Sequence, residues 1–292
     1  MSELVINAYA KLNLTLDILR RREDGYHDLR MVMQSISLHD TVALSQTDTG
    51  EMELKSGADF LPADQSNLAY RAAEAFFAAT GIANPGLRIT LEKNIPVCAG
   101  MAGGSSDAAA VLRGLRRMYA PDMSVAELCR IGEKVGSDVP YCVFGGTALA
   151  EGRGEILTRL APMPACWVVI CKPPFGLSTP ELFGCVQVKK LSRHPDTQGV
   201  IRSLEHGDLN GVLRRIYNVF EAVLPEKYGE VFSIKNKMLD LGADSAAMTG
   251  SGPTVFGLFT DEKRAEAACR TLGQQYEQTY LASMVNAEPE KV

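Results

Sequence analysis

Histidine is scarce in this chain, and its cysteines show no pairing pattern. The four histidines (His27, His39, His194 and His206) never fall in an HxH or HxxxH spacing, so a zinc site built by the protein is not expected. The seven cysteines (Cys98, Cys129, Cys142, Cys166, Cys171, Cys185 and Cys269) are odd in number, scattered and without a CxxC pair. That argues against a disulfide framework and for reduced thiols in a cytoplasmic protein. An excess of positive charge is missing too. With 30 Lys and Arg against 35 Asp and Glu, the net charge is -5; nucleic acid and anionic membrane are not expected as partners, and a basic pocket would have to be local. No apolar run reaches membrane-spanning length, and the densest, Cys166–Cys171, reads as a buried strand. Glu3 stands at the front and Arg20-Arg21-Arg22 follows the first apolar residues, the reverse of a secretion signal. Repeats and low-complexity segments are absent.

What is present is 46% hydrophobic and 22% charged over 292 residues, enough for one large domain or two modest ones. From Leu4 to Leu19 apolar and polar residues alternate. Leu4, Ile6, Ala8, Ala10, Leu12, Leu14, Leu16 and Ile18 fall on one face and Asn7, Tyr9, Lys11, Asn13, Thr15 and Asp17 on the other, which predicts a long half-buried strand. Residues 29–44 predict one or two more strands, and 66–80 a helix stopped by Gly81. A strand over 87–91 leads to a glycine-rich loop and a helix, for which Ser105 or Ser106 is the natural cap. Ser124-Val-Ala-Glu127 forms a capping-box signature for the next helix. Further on, strands are expected at 166–171, 254–259 and 279–285, with helices between about 180 and 223 and over 228–241 and 262–272. Segregated antiparallel strands and helices make the fold class α+β.

The loop, Ile95 to Leu112 (IPVCAGMAGGSSDAAAVL), resembles a phosphate cradle but contains no lysine. It fits neither the GxxxxGK[ST] nor the GxGxxG pattern. Gly100, Gly103 and Gly104 remove the Cβ atoms that would hold a ligand off the backbone. The helix opening at Ser105 and Ser106 offers free amides and a positive dipole end to an anion. The serine hydroxyls could add donors to phosphate or an oxygen to magnesium. Taken alone, the loop is equally a plain turn before a capped helix.

The loop has company. Pro96-x-x-x-Gly100-Met101-Ala102-Gly103-Gly104-Ser105-Ser106 resembles the second motif of the GHMP kinases. Ala10-Lys11-Leu12-Asn13-Leu14 and Ala246 to Phe256 (AAMTGSGPTVF) resemble two further motifs of that family, in the correct order. Asp24-Gly25-Tyr26-His27-Asp28-Leu29 and Gly136-Ser137-Asp138-Val139-Pro140-Tyr141 are similar to the branch whose acceptor is a sugar alcohol joined to cytidine diphosphate. Met101-Ala102 and Asp107 depart from that branch, where Leu-Gly and Asn are commoner, and Asp107 receives no role.

The resemblance implies ATP and Mg²⁺ as cofactors and phosphorylation of a small alcohol, by a monomer or weak homodimer. It implies two lobes. A ribosomal-protein-S5-domain-2-like lobe would span about residues 1–160 and a ferredoxin-like lobe 161–292, with the last strand a candidate to return to the first and the site in the cleft between. Asp138 is then the base for the acceptor hydroxyl, its plain alternative being a capping residue in a Gly-Ser-Asp turn. Val139, preceding Pro140, is expected to be extended. Lys11 would stand beside Asp138, its alternative a solvated strand lysine, and Asn13 would position substrate or Asp138. Tyr26, His27 and Phe183 would recognise the cytosine, although Phe183 is equally read as helix core. Pro96, Ala99, Gly100, Met101, Ala102, Gly103, Gly104, Ser105 and Ser106 would hold the triphosphate. Asn67, Leu68 and Lys93 would line the adenine pocket, or else act as helix cap, helix core and surface lysine. Gly250 to Thr254 would support the site and meet the alcohol end of the acceptor. Metal ligands are not assigned. The alternatives are another small-molecule GHMP kinase, of homoserine or mevalonate type, or a silent binding protein. Tyr26 argues against the former, and the retained Lys11, Asn13 and Asp138 against the latter.

Overall fold

The computed structural model describes residues 3–57 and 62–286. The alternating segment forms β1 (Leu4–Arg21), paired antiparallel with one long strand, β2 (His27–Gln46). Its faces do not follow the simple alternation. Register shifts between Tyr9 and Lys11, and again between Asn13 and Thr15, re-aim the strand. Ile6, Ala8, Leu16 and Ile18 enter one core, whereas Ala10, Leu12 and Leu14 enter a second. Both faces of the middle of β1 are therefore covered, and Lys11, Asn13, Thr15 and Asp17 are buried rather than half-solvated.

The chain continues through β3 (Met52–Ser56) to α1 (Leu68–Thr80). This helix starts where the Asn67 side chain accepts the Ala69 amide and ends on left-handed Gly81; such a cap contributes about 1 kcal/mol. β4 (Leu87–Glu92) lies parallel to β3 and antiparallel to β2. The alanine- and leucine-rich α2 (Gly103–Tyr119) buries its apolar face against α1 and the first two strands. α3 (Val125–Glu133) carries the Ser124–Glu127 capping box. A short helix then appears that periodicity is too brief to reveal, α4 (Val139–Phe144). β5 (Thr147–Gly152) pairs with β2, and β6 (Ile156–Arg159) with β5.

The second half begins with β7 (Trp167–Cys171) and the small helices α5 (Thr179–Gly184), α6 (Thr197–Glu205) and α7 (Leu209–Leu213). A two-residue strand, β8 (Tyr217–Asn218), lies parallel to β1. α8 (Glu230–Asp240), β9 (Ser245–Met248), β10 (Val255–Phe259), α9 (Glu262–Gly273) and β11 (Thr279–Val285) complete the described chain. β10 sits between β9 and β7. β11 pairs with β7 and then, at Met284 and Val285, with Ile36 and Ser35 of β2. One strand thus joins the first and second halves of the chain in a single sheet. Mostly antiparallel strands with helices packed on them make the class α+β. Among the described residues, no helix is long and apolar enough to cross a membrane.

Candidate active site

A cleft of about 970 Å³ gathers residues from every segment that the sequence singles out except the adenine-side positions. Lys11 and Asn13 reach it from β1, Tyr26 and His27 from the β1–β2 hairpin, and Ala102 and Ser105 from the start of α2. Asp138, Phe183 and Gly250 to Gly252 close it from the other sides.

Burial changes what Lys11 and Asn13 can do. They are 4% and 1% exposed, and a buried ammonium needs partners close by. The Lys11 ammonium donates to Asn13 Oδ1 at 2.8 Å and lies 3.9 Å from Asp138 Oδ2. Asn13 Oδ1 also accepts the Gly250 amide at 3.0 Å, and the Asn13 amide donates to Thr249 Oγ1 at 3.1 Å. Asn13 is thus a strut between β1 and the TGSG loop, with its oxygen committed inside the protein. Asn218, which no pattern in the sequence marks, holds the same loop by donating to the carbonyls of Met248 and Gly250, each at 2.8 Å.

Asp138 occupies the cap position of α4 but makes no side-chain cap bond, so the plain capping alternative does not hold. Val139 is helical, not extended: it is the first residue of α4, followed by Pro140. Proline needs no amide partner in the first turn, and that gain outweighs the usual bias of the residue before it. The Asp138 side chain, 37% exposed, is left facing the cleft.

The glycine-rich loop differs from its reading in two respects. The α2 helix starts at Gly103, capped by left-handed Ala102 (φ 60°) without a side-chain bond, so neither Ser105 nor Ser106 is its cap. Ser106 turns inward, where its hydroxyl donates to Tyr9 O at 2.6 Å and lies 3.3 Å from Cys142 Sγ. Burial pushes the Cys142 thiol up to about 12, so that neighbour is neutral. Ser105 stays on the cleft, near Gly136 of the Asp138 turn, where an added Cβ would lie 3.9 Å from its Oγ. Pro96, Ala99 and Met101 are buried beneath the loop. Gly100 lines the cleft and also leaves room for the TGSG loop. A Cβ there would come 2.5 Å from Thr249 O, and one at Gly250 2.6 Å from Gly100 O. The two glycine loops therefore meet backbone to backbone. The first intrahelical bond runs from Ser106 N to Ala102 O, and the amides of Gly103, Gly104 and Ser105 precede it, as free helix-end donors do.

At the other end of the cleft, His27 and Phe183 stack on each other with ring centroids 5.0 Å apart and planes 22° apart. Phe183 also meets Phe220 edge-on at 4.9 Å, so it belongs to the core and to the cleft wall at once. Partial burial, reinforced by Arg21, holds the His27 imidazole below its usual pKa, which keeps the stacked ring neutral near pH 7. Tyr26 is 57% exposed, and the Arg153 guanidinium lies over its ring, 5.5 Å from the centroid. Arg21, Cys98 and Arg153, which no motif marks by name, also line the cleft, as does Ser137 of the Gly136–Tyr141 motif. A charged residue between two glycines, Gly152-Arg153-Gly154, is the one of them with a legible signal: a tight turn with Arg153 at its tip.

Asn67, Leu68 and Lys93 lie outside the lining of this cleft. Asn67 is the cap of α1. Leu68 lies beside Gly104, where an added Cβ would be 3.5 Å from its Cδ1. Lys93 is not a surface lysine: its ammonium is buried between the carboxylates of Asp40 and Asp107. Asp40 Oδ1 also accepts the amides of Asn94 and Ile95, at 2.5 and 2.8 Å. Desolvation, augmented by Asp40 and opposed by Lys93, raises the Asp107 carboxyl to about 7.

Known proteins resemble this chain over nearly its whole length. Residues 67–146 match the model of the GHMP kinases N terminal domain and residues 200–278 that of the GHMP kinases C terminal domain. A 4-diphosphocytidyl-2-C-methyl-D-erythritol kinase of Clostridium tetani is 44% identical over 96% of this chain and 99% of its own length. One from Listeria monocytogenes is 45% identical over 96% of this chain and 94% of its own. The crystal structure of a 4-(cytidine 5'-diphospho)-2C-methyl-D-erythritol kinase, 31% identical, superposes with a TM-score of 0.83 over 97% of this chain and all of its own.

Proposed function

Since the chain belongs to the GHMP kinases and, within them, to the 4-diphosphocytidyl-2-C-methyl-D-erythritol kinases, we propose that it transfers the γ-phosphoryl group of ATP to the 2-hydroxyl of that cytidyl sugar alcohol. The observation that carries the assignment of roles is the Lys11–Asp138 pair on the cleft wall, beside free helix-end amides.

The Asp138 carboxylate, uncommitted to a cap, would orient the acceptor hydroxyl and take its proton as the bond to phosphorus forms. Lys11, fixed by Asn13, would offset the negative charge that gathers there. The amides of Gly103, Gly104 and Ser105 would receive phosphate oxygens, with the Ser105 hydroxyl beside them. The buried Pro96, Ala99, Met101 and Ser106 would shape the loop from below. Magnesium would travel on the triphosphate and neutralise its oxygens. Such an ion keeps much of its water and needs only one or two protein oxygens, which suits a cleft offering Ser105 and Asp138 and a chain whose described residues hold no cluster of three or more His, Cys, Asp or Glu. The adenine would lie towards Leu68, beside Gly104, with Asn67 and the Lys93 triad holding the surrounding backbone.

Tyr26 and Phe183 would flank the cytosine and the neutral His27 would read its edge. Loss of a nucleobase partner would leave this aromatic end without purpose, which disfavours homoserine or mevalonate as acceptor. The lobes would divide near residue 160, with β11 belonging to both. Seven free cysteines support a reducing, cytoplasmic setting. The direct test is coupled ADP release with the cytidyl acceptor, homoserine and mevalonate in parallel. Turnover with the first alone is expected; no turnover with it rejects the reading.

A further inference from the structure

Arg153 lies outside every motif that marks the site, yet it lines the cleft and touches the acceptor end. It sits at the tip of the turn between β5 and β6, flanked by Gly152 and Gly154 at φ 71° and 117°. These are conformations that few side-chain-bearing residues adopt, so the two glycines permit the tight turn, and hydrogen bonds hold its shape. Within it the Arg153 amide donates to Glu155 Oε2 at 2.6 Å, and the Gly154 amide to Glu151 O at 3.0 Å. The guanidinium is held as well. Its Nη2 donates to Glu133 Oε1 at 3.0 Å, at the end of α3, and its Nε lies 4.0 Å from Glu155 Oε1. What remains of its planar surface lies over the Tyr26 ring.

Tyr26 needs such a contact. It stands on a hairpin turn, is more than half exposed and has no core to hold it. An aromatic ring binds a base more tightly when its plane is already fixed, because ordering it on binding costs affinity. We propose that Arg153 is a positioning residue for the nucleobase end of the acceptor: anchored by Glu133 and Glu155, it fixes the plane of Tyr26 and so sets the affinity for a cytidyl substrate. This rests on the function proposed above.

The test is a double-mutant cycle on the full-length protein, with KM and kcat measured for the cytidyl acceptor and KM for ATP. R153A raises the acceptor KM about fivefold, the weight of an exposed cation–π contact, with kcat and the ATP KM within about twofold. R153K, which keeps the cation but loses the planar face, recovers part of the loss. E133Q, which frees one anchor, gives a smaller rise in the same direction. In a Y26A background the R153A change disappears, because its route to substrate has been removed. An unmoved acceptor KM in R153A overturns the inference. So does an R153A effect that persists undiminished beside Y26A, since Arg153 would then act directly on the substrate or through the fold. An unmutated protein that does not phosphorylate the cytidyl acceptor overturns the functional reading and this inference with it.

Discussion

The Lys11 ammonium lies 3.9 Å from Asp138 Oδ2, and the two residues come from opposite ends of the N-terminal half of the chain. The pair forms where β1 shifts register between Tyr9 and Lys11 and where α4 starts without using the carboxylate as a cap. An uncapped aspartate at a helix start forgoes local stabilisation of about 1 kcal/mol, so its freedom has to be offset by Lys11 and by function. Asp138→Asn should lower kcat by about 10²- to 10⁴-fold, the usual weight of a general base. ATP affinity, followed by fluorescence or calorimetry, should stay within about threefold. Turnover surviving in the variant would remove Asp138 from the mechanism.

Ser105 and Ser106 are neighbours in sequence with opposite surroundings. Ser105 lines the cleft, whereas Ser106 donates to Tyr9 O inside the core. Ser105→Ala should raise the KM for ATP several-fold and leave the melting temperature unchanged. Ser106→Ala should do the reverse, at a cost of about 1–3 kcal/mol for the buried carbonyl left without its donor. Equal effects of both changes on the KM for ATP would mean that Ser106 reaches the nucleotide after all.

Much of the fold is legible because its segments are long and strongly patterned. The α1, α2, α8 and α9 helices and the β7, β10 and β11 strands follow from periodicity. What escapes is what depends on a second segment. The face assignment of β1 fails because bulges are set by the partner strand, not by the pattern of β1 itself. The six-residue α4 is too short for a period, and the residue-before-proline rule points the wrong way there. In the site, the motif residues Lys11, Asn13, Tyr26, His27, Asp138 and Phe183 meet in one cleft. Asn218 leaves no such trace, since it acts through two distant carbonyls, and of Arg153 only the glycine-flanked turn is legible, not the contact with a ring far away in sequence.

The close approach of Gly100 to Gly250 gives a prediction about coupling between the loops. A methyl group on Gly250 would sit 2.6 Å from Gly100 O, on a backbone at φ 56° that disfavours side chains. The loops must separate to admit it. Gly250→Ala should cost about 1–3 kcal/mol of stability and pull the Gly250 amide from Asn13, loosening Lys11. A fall in kcat larger than any rise in KM, together with a lower urea midpoint, is expected. Gly104→Ala, which would meet only Leu68 at ordinary contact distance, should leave the urea midpoint nearly unchanged.

The buried triad of Asp40, Lys93 and Asp107 has one carboxylate more than it has cations, and Asp107 Oδ1 has no hydrogen-bond partner. Its carboxyl is raised from 3.8 to about 7, chiefly by desolvation. A raised acid binds its proton more tightly in the folded chain than in the unfolded one. The stability it contributes is therefore fully present below about pH 4 and is lost as pH rises through about 7. Asp107→Asn keeps the shape, removes the titration and leaves Lys93 paired with Asp40 alone. The variant should gain in melting temperature relative to the parent as pH is raised from 5 to 8, with little difference between pH 8 and 9. A gap that stays constant across this range, or that widens in favour of the parent, would show that a proton on Asp107 is not what the folded triad loses between pH 5 and 8.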